Sequence, residues 1–146
     1  MSREDMKYFN RDISWLHFNQ RVLQEAEDVN NPLIERLRFL GIHSNNLDEF
    51  FRVRYSFIRR LKISQAEDVT DFLEGYTPGE LLSKISEVVG EQQRCSQEIY
   101  AAIRKELKEH GIEIINEDEL TTNQETFVKQ LYRDKVSKAL TNLMIN

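Results

Sequence analysis

Apolar residues recur three or four positions apart along most of the chain, which predicts amphipathic α-helices. The first helix is predicted over 14–28, with Ser14 as its N-cap. The second is predicted to begin at Asn31 and Pro32, because asparagine caps free amides and proline is tolerated at the first helical position. Gly41 is expected to interrupt or end this helix. The expected inner residues are Trp15, Phe18, Val22, Leu23 and Ala26 in the first helix and Leu33, Ile34, Leu37 and Leu40 in the second.

A third helix is predicted to begin at Ser44-Asn45-Asn46, where three capping residues precede two carboxylates that complement the helix dipole. The acidic, polar stretch 64–76 is typical of a connection. A long helix is then predicted from Thr77, which forms a capping-box pattern with Glu80, as far as Gly111. The expected inner residues are Leu47, Phe50, Phe51, Phe57, Ile58 and Leu61 in the third helix and Leu81, Ile85, Val88, Val89, Gln92, Cys95, Ile99, Ala102, Ile103 and Leu107 in the long one.

The pattern changes after the long helix. The β-branched run 112–115 predicts a short strand, and Thr121 or Thr122 is placed to cap a further amphipathic helix. Residues 142–146 are apolar and include no terminating signal, so we expect the chain to continue in a longer protein. The residues expected to face inward from the last helix are Phe127, Leu131, Tyr132, Val136 and Leu140.

Composition narrows the class of function. The 146 residues include 20 basic and 25 acidic side chains, a net charge of −5, so binding of nucleic acid is not expected. The single cysteine, Cys95, excludes an internal disulfide and a zinc site built from several cysteines. The charged N-terminus does not resemble a secretory signal, and no apolar run reaches the ~20 residues of a transmembrane helix. A cytoplasmic location is therefore expected.

The sequence contains no motif of a complete enzyme, neither a phosphate-binding glycine loop nor a metalloprotease or serine-hydrolase signature. His17, His43 and His110 lie far apart without ligand spacing, so no metal site is expected. The pair Asn45-Asn46 is more informative, because a carboxamide offers a donor and an acceptor that match the edge of adenine. From spacing alone, capping of the predicted third helix is the commoner role for both.

The arginines after this pair form a second candidate site. Arg52 and Arg59 are seven residues apart, which places them on one face of a regular helix, and Arg60 lies next to it. Two guanidinium groups on one face can hold phosphate oxygens. The alternative is a solvated charged face, with Arg52 paired to Asp48 four residues earlier.

Several long strings resemble the long-form bacterial polyphosphate kinases. The resemblance is strongest at 44–54 (SNNLDEFFRVR) and also covers 9–26 (FNRDISWLHFNQRVLQEA) and 31–40 (NPLIERLRFL). It weakens afterwards, although 114–116 and 143–146 also look like the family. His43 stands where the family pattern has an aromatic ring.

The resemblance implies a mainly α fold: an antiparallel helical bundle at 1–110, then a short strand and helix at 111–146 that begin an α/β head domain. It implies the reversible transfer of the terminal phosphate of ATP to a polyphosphate chain through a phosphohistidine, with Mg²⁺ bound by catalytic domains outside this segment. Asn46 matches the residue of the family motif that binds ATP. No motif-level match supports Arg52 or Arg59 as phosphate ligands, and none of the three histidines matches the phosphate acceptor.

The resemblance further implies a homo-oligomeric enzyme that acts on ATP and polyphosphate, cytoplasmic or peripheral to the inner membrane, of which this segment alone is inactive. The alternative is a helical interaction module without a nucleotide role. In that case the apolar stripe of the long helix, over 81–107, would be an interface for a partner or a second copy.

Overall fold

The computed structural model describes residues 9–65 and 69–141, which are mainly helical and contain no β-strand. The α-helices of this part of the chain are α1 (Arg11–Glu27), α2 (Leu33–Phe50), α3 (Ser56–Ile63), α4 (Pro78–Glu109) and α5 (Thr122–Leu131). The π-turns are Phe51–Tyr55 and Tyr132–Val136, and the 3₁₀ turns are Glu117–Glu119 and Ser137–Ala139. The chain divides after Gly111 into two compact units.

The first unit is a helical bundle in which α1 packs on α2 and α4, and α2 and α3 pack on α4. Helices α1 and α2 run antiparallel. The Arg36 side chain near the start of α2 donates to the carbonyl of Ala26 near the end of α1, and Asp12 at the start of α1 pairs with Arg54 just beyond α2. Helix α4 is antiparallel to α2, since Arg36 also pairs with Glu106 in the last turns of α4. The mainly helical fold predicted from the sequence is confirmed.

Helix α1 begins at Arg11, earlier than predicted, because Asn10 and not Ser14 is the N-cap. The Asn10 Oδ1 atom accepts hydrogen bonds from the backbone amides of Asp12 (3.0 Å) and Ile13 (3.1 Å). Its Nδ2 atom donates to the carbonyl of Leu73 (3.1 Å), which ties the cap to the connection before α4.

Helix α2 runs without interruption through Gly41 and through 44–46, so the predicted break and the predicted third N-terminus are both wrong. A glycine inside a helix costs about 1 kcal/mol relative to alanine, which interhelical packing readily offsets. Gly41 lies on the exposed face and has open space around it. Asn45 and Asn46 are therefore interior helical residues and not caps.

The buried residues of α1 and α2 recur at alternating intervals of four and three, as in a coiled-coil seam. Phe18, expected on the inner face, is 58% exposed, because the stripe chosen from apolar residues alone is rotated from the true one. Polar side chains occupy several positions of the true stripe. Its members are Asp12, Leu16, Asn19, Leu23 and Ala26 in α1 and Arg36, Leu40, His43, Leu47 and Phe50 in α2.

Helix α4 follows its prediction closely. Thr77 and Glu80 form the capping box, Pro78 occupies the first helical position, and Gly111 has a φ of +76° just past the end of the helix. Most side chains on its apolar stripe are buried against the other helices, with Leu81, Ile85 and Ile103 fully enclosed. Two of the residues expected inside are not: Ala102 is exposed and Cys95 is half-buried. This stripe is the core of the first unit and not a surface open to a partner.

His43 lies in the core between α2 and α4. Burial lowers the pKa of its imidazole, and the Gln92 side chain offsets part of that shift by raising it. His43 Nε2 and Gln92 Oε1 nevertheless do not reach hydrogen-bond geometry with each other, and neither has a partner among the described residues. The neutral imidazole is therefore the form that the folded state favours.

The second unit, described as far as residue 141, contains no buried residue. The predicted strand over 112–115 is not formed, because a strand needs a ladder partner and the described residues supply none. Thr121 caps α5 through a capping box with Gln124, as one of the two predicted threonines. The residues expected to face inward are instead exposed: Phe127, Leu131, Tyr132, Val136 and Leu140.

We expect Asp12→Ala to lower the free energy of unfolding by about 1.5–3 kcal/mol, the range for hydrogen bonds to charged groups. The substitution removes both acceptors of the Arg54 guanidinium (2.7 and 2.9 Å). Urea denaturation followed by circular dichroism measures the change. Asp48→Ala is the control, because Asp48 is exposed and makes no side-chain hydrogen bond within the described chain; its effect should stay within about 0.5 kcal/mol. Equal losses would contradict the importance of the buried pair.

The lowered pKa of His43 predicts a loss of stability at acidic pH. Below the unfolded-state value of 6.5, the unfolded chain takes up a proton at His43 that the folded chain does not, until the pH reaches the lower folded-state pKa. As the pH is lowered from 6.5 to the folded-state pKa of His43, the free energy of unfolding should thus fall. The fall should be less steep for the His43→Gln variant. Denaturation at several pH values tests this, with His17→Gln as the exposed control. A His43→Gln slope equal to that of the unmodified chain would refute the prediction.

Candidate functional site

Asn46 lies at the seam between α1 and α2, half-buried about one turn before the end of α2. Its Nδ2 atom donates to Asn19 Oδ1 on α1 at 2.9 Å. Asn19 is fully buried, and its own Nδ2 donates to the backbone carbonyl of His43 at 3.2 Å. Within residues 9–65 and 69–141, the side-chain oxygen of Asn46 (Oδ1) accepts no hydrogen bond. Asn46 is therefore held through its nitrogen while its oxygen stays available.

A groove of about 440 Å³ lies along the same seam. Its floor is the stacked pair Trp15 and Phe50, whose ring centroids are 5.1 Å apart at an interplanar angle of 15°. Asn19 and Asn46 do not line the groove, but each lies one turn away from one of these rings, Asn19 beyond Trp15 on α1 and Asn46 before Phe50 on α2. The lining residues are Arg11, Asp12, Trp15, Glu49, Phe50, Val53 and Arg54.

Two arginines lie at one end of the groove. Arg54 binds Asp12 in a bidentate pair, and this hydrogen bonding raises the pKa of the Arg54 guanidinium. Arg11 places its guanidinium 5.0 Å from the centroid of the Phe72 ring, and its backbone amide donates to the Glu74 carboxylate at 2.7 Å. Arg54 is thus neutralised by Asp12, whereas the Arg11 guanidinium makes no ion pair within the described chain, although Glu74 lies nearby.

The π-turn over Phe51–Tyr55 separates α2 from α3 in one continuous helical rod. The Phe51 carbonyl accepts the Ser56 backbone amide, five residues on, and also accepts the Ser56 hydroxyl at 2.8 Å. Such turns insert an extra residue and are frequent at functional sites. This one positions Val53 and Arg54 at the groove.

Arg52 lies within this π-turn and Arg59 lies beyond it in α3, so the helical register that predicted a shared face does not hold between them. Both side chains are exposed. The Arg52 guanidinium is 3.8 Å from the carboxylate of Glu49, three residues earlier. Arg52 therefore forms a surface ion pair, as the alternative held, but with Glu49 and not with the expected Asp48. Neither arginine lines the groove beside Asn46.

The other reactive side chains are dispersed. His17 is exposed at a second groove of about 710 Å³ on the outer face of α1, and His110 is the C-cap of α4. Cys95 is half-buried, and burial raises the pKa of its thiol. No three histidine, cysteine or acidic side chains of the described residues come together as a metal site, and no helix there is long and apolar enough to span a membrane.

Asn19, Asp12 and Arg54 were not singled out from the sequence. Asn19 and Asp12 interrupt the apolar stripe of α1 at positions that the interval of four and three assigns to the seam. A polar residue at such a position is a signal, because a buried polar group needs a partner. Arg54 was not distinguished from the neighbouring arginines, although it lies four residues after Phe50 and so continues the same interval.

Comparison with known proteins agrees with this fold. The family model described as the polyphosphate kinase N-terminal domain matches residues 8–115. The polyphosphate kinase of Yersinia pestis is 38% identical over 143 residues, and that of Escherichia coli K12 is 37% identical over 143 residues. Each alignment covers 98% of this chain and 20% of the relative. The crystal structure of polyphosphate kinase from Porphyromonas gingivalis matches with a TM-score of 0.72 and 26% identity, over 97% of this chain and 21% of that one.

The resemblance inferred from the sequence strings is confirmed by these matches. The chain spans about a fifth of the length of the curated relatives. Because the family model covers most of the chain, including both helices that form the Asn19–Asn46 seam, this protein chain belongs to the polyphosphate kinase N-terminal domain family.

Proposed function

We propose that this chain is the N-terminal segment of a polyphosphate kinase and forms one wall of its ATP site. The longer enzyme would transfer the terminal phosphate of ATP reversibly to a polyphosphate chain through a phosphohistidine. The phosphate-accepting histidine and the groups that bind Mg²⁺ would lie outside this segment, since no described cluster here suits a divalent cation. Phosphoryl transfer depends chiefly on positioning, so a wall that holds the nucleotide contributes without touching the transferred group.

The observation that supports this role is the Asn46 amide beside the groove. The side-chain oxygen of Asn46, which belongs to a half-buried residue and accepts no hydrogen bond within the described chain, can accept one from the exocyclic amine of adenine. The neighbouring Trp15, partly exposed and backed by the buried ring of Phe50, offers an aromatic surface for a base. Arg11 lies at the far end of the groove, where a nucleotide bound in this way could direct its phosphates.

Arg52 and Arg59 have at most a long-range electrostatic part in this proposal. Both are exposed and neither lines the groove, and Arg52 already has Glu49 as a neighbour. Solvent and salt weaken the attraction of such groups for phosphate beyond about 10 Å. The assignment of ATP contacts therefore centres on Asn46.

We further propose that 1–110 is the N-terminal domain and that 111–146 begins a head domain. The division after Gly111 and the end of the family match at residue 115 support this boundary. The exposed apolar side chains of α5, such as Phe127 at 65%, would be covered by the rest of the head domain. The strand expected over 112–115 would then form once a neighbouring strand is present.

The alternative, an interaction module based on the long helix, has less support. Its apolar stripe is buried inside the first unit, so pairing through that stripe would require the bundle to open. The homo-oligomer and polyphosphate expectations concern the longer enzyme.

In the full-length kinase, we expect Asn46→Ala to lower kcat/KM for ATP by about 10- to 100-fold, as a lost buried hydrogen bond costs ~1–3 kcal/mol. Steady-state kinetics with ATP as the varied substrate measure it. Asn45→Ala is the matched control, because Asn45 is an adjacent carboxamide on the exposed side of α2. Its kinetics should stay close to those of the unmodified enzyme. An Asn46→Ala enzyme with unchanged ATP kinetics would remove Asn46 from the site.

The isolated chain should form no polyphosphate from ATP and Mg²⁺, because the phosphate acceptor is proposed to lie elsewhere. A chromatographic assay for polyphosphate, with the full-length kinase as the positive control, tests this. Sustained turnover by a homogeneous preparation of the chain would overturn the assignment of chemistry to the other domains.

A further inference from the structure

We propose that Asn19 is a positioning residue that fixes the orientation of the Asn46 amide and thereby favours ATP over GTP; this rests on the proposed nucleotide role of Asn46. Asn19 is fully buried and lies behind Asn46, so it acts on the nucleotide only through its neighbour.

The orientation is set by a chain of three groups that begins at a backbone carbonyl. The His43 carbonyl oxygen can only accept a hydrogen bond, so the amide nitrogen of Asn19 must face it (3.2 Å). The Asn19 oxygen then faces Asn46 and can only accept, so the nitrogen of Asn46 must face Asn19 (2.9 Å). An isolated carboxamide can turn over at little cost, whereas this one has a single arrangement in which every contact pairs a donor with an acceptor.

Burial makes the arrangement costly to reverse. Asn19 is 0% exposed, so water cannot replace a partner that it loses. If Asn46 turned over, its oxygen would face the Asn19 oxygen, and two buried acceptors would lie in contact without a proton between them. The backbone of His43 lies within α2 and cannot rotate to compensate.

The consequence is a fixed acceptor on the side of Asn46 away from Asn19. Adenine has an exocyclic amine, a donor, at the position where guanine has the O6 acceptor. A fixed oxygen therefore attracts the amine of ATP and repels O6 of GTP. An amide free to turn over could offer its N–H to guanine instead, so loss of Asn19 should weaken the discrimination between the bases.

The test compares four full-length enzymes: Asn19→Leu, Asn46→Ala, the double variant and Gln92→Leu. Leucine has the same number of side-chain heavy atoms and the same branch point as asparagine, although it is bulkier, and it accepts nothing from Asn46. Gln92→Leu is the matched control, because Gln92 is an equally buried amide that donates to a backbone carbonyl of α1, at Leu16, and does not contact Asn46. For each enzyme, KM and kcat are measured with ATP and with GTP, and the midpoint of thermal unfolding is recorded.

We expect Asn19→Leu to raise KM for ATP by about 10-fold with little change in kcat, the scale of one lost hydrogen bond, and to lower the ATP-to-GTP ratio of kcat/KM by a similar factor. Gln92→Leu should leave that ratio unchanged. The double variant should match Asn46→Ala, because Asn19 has no route to the nucleotide once Asn46 is gone. If Asn19→Leu does not fold, Asn19→Ser gives the same test with a hydroxyl too short to span both partners.

Two results would overturn the inference. One is a proportional loss of activity with ATP and GTP in Asn19→Leu, and the other is an undiminished Asn19→Leu effect in the Asn46→Ala background; either assigns Asn19 to stability alone. If Asn46→Ala lowers kcat/KM for ATP while Asn19→Leu leaves both KM for ATP and the ATP-to-GTP ratio unchanged, only this inference is removed. An Asn46→Ala enzyme with unmodified ATP kinetics removes the proposed function and the inference together.

Discussion

The architecture of the first unit depends on the rule that polar groups buried between helices must have partners. Along the seam of α1 and α2, three contacts meet that rule, at both ends and in the middle: Arg36 with the Ala26 carbonyl, Asn19 with the His43 carbonyl, and Asp12 with Arg54. The Nε2 atom of His43 is the exception among the described seam residues. Apolar contacts alone would tolerate a small slide of one helix along the other. These directional contacts do not, because a shift would leave every polar member unpaired at once. The same contacts that set the register of the bundle also determine where Asn46 stands.

Local signals made some elements predictable. Helix α4 matched its prediction because a capping box, a proline and a C-terminal glycine are all encoded within a few residues of its ends. Helix α2 did not match, since Gly41 and residues 44–46 are typical of helix ends. The free-energy cost of placing them inside a helix is outweighed by the packing of α2 against α1 and α4. The strand over 112–115 was predicted from β-branched residues, yet a strand exists only with a neighbour. Local propensity shows which secondary structures a segment can form, and its tertiary contacts determine which of them is present in the fold.

The candidate site shows the same division. Asn46 was singled out through family resemblance, while residue chemistry alone favoured capping; its position inside a helix removes the capping explanation. Asn19 was not among the residues predicted to face inward or to bind a ligand, because a stripe defined by apolar residues leaves an asparagine out. Its role depends on a neighbour 27 residues away, a separation that local reading does not span. The π-turn between α2 and α3 was equally absent from the predictions, since no residue type demands one.

The π-turn also constrains how this sequence can change in length. A regular α-helix advances about 100° per residue, so one additional residue would normally turn everything after it by that angle, whereas a π-turn absorbs the additional residue locally. Ile58, enclosed in the core, lies one residue further from Phe50 than the interval that separates Phe50 from His43. Loss of one residue within Phe51–Tyr55 would thus restore ordinary winding and leave Ile58 facing the core. Gain of a second residue there would turn Ile58 toward solvent, so this rod should tolerate a shorter turn more readily than a longer one.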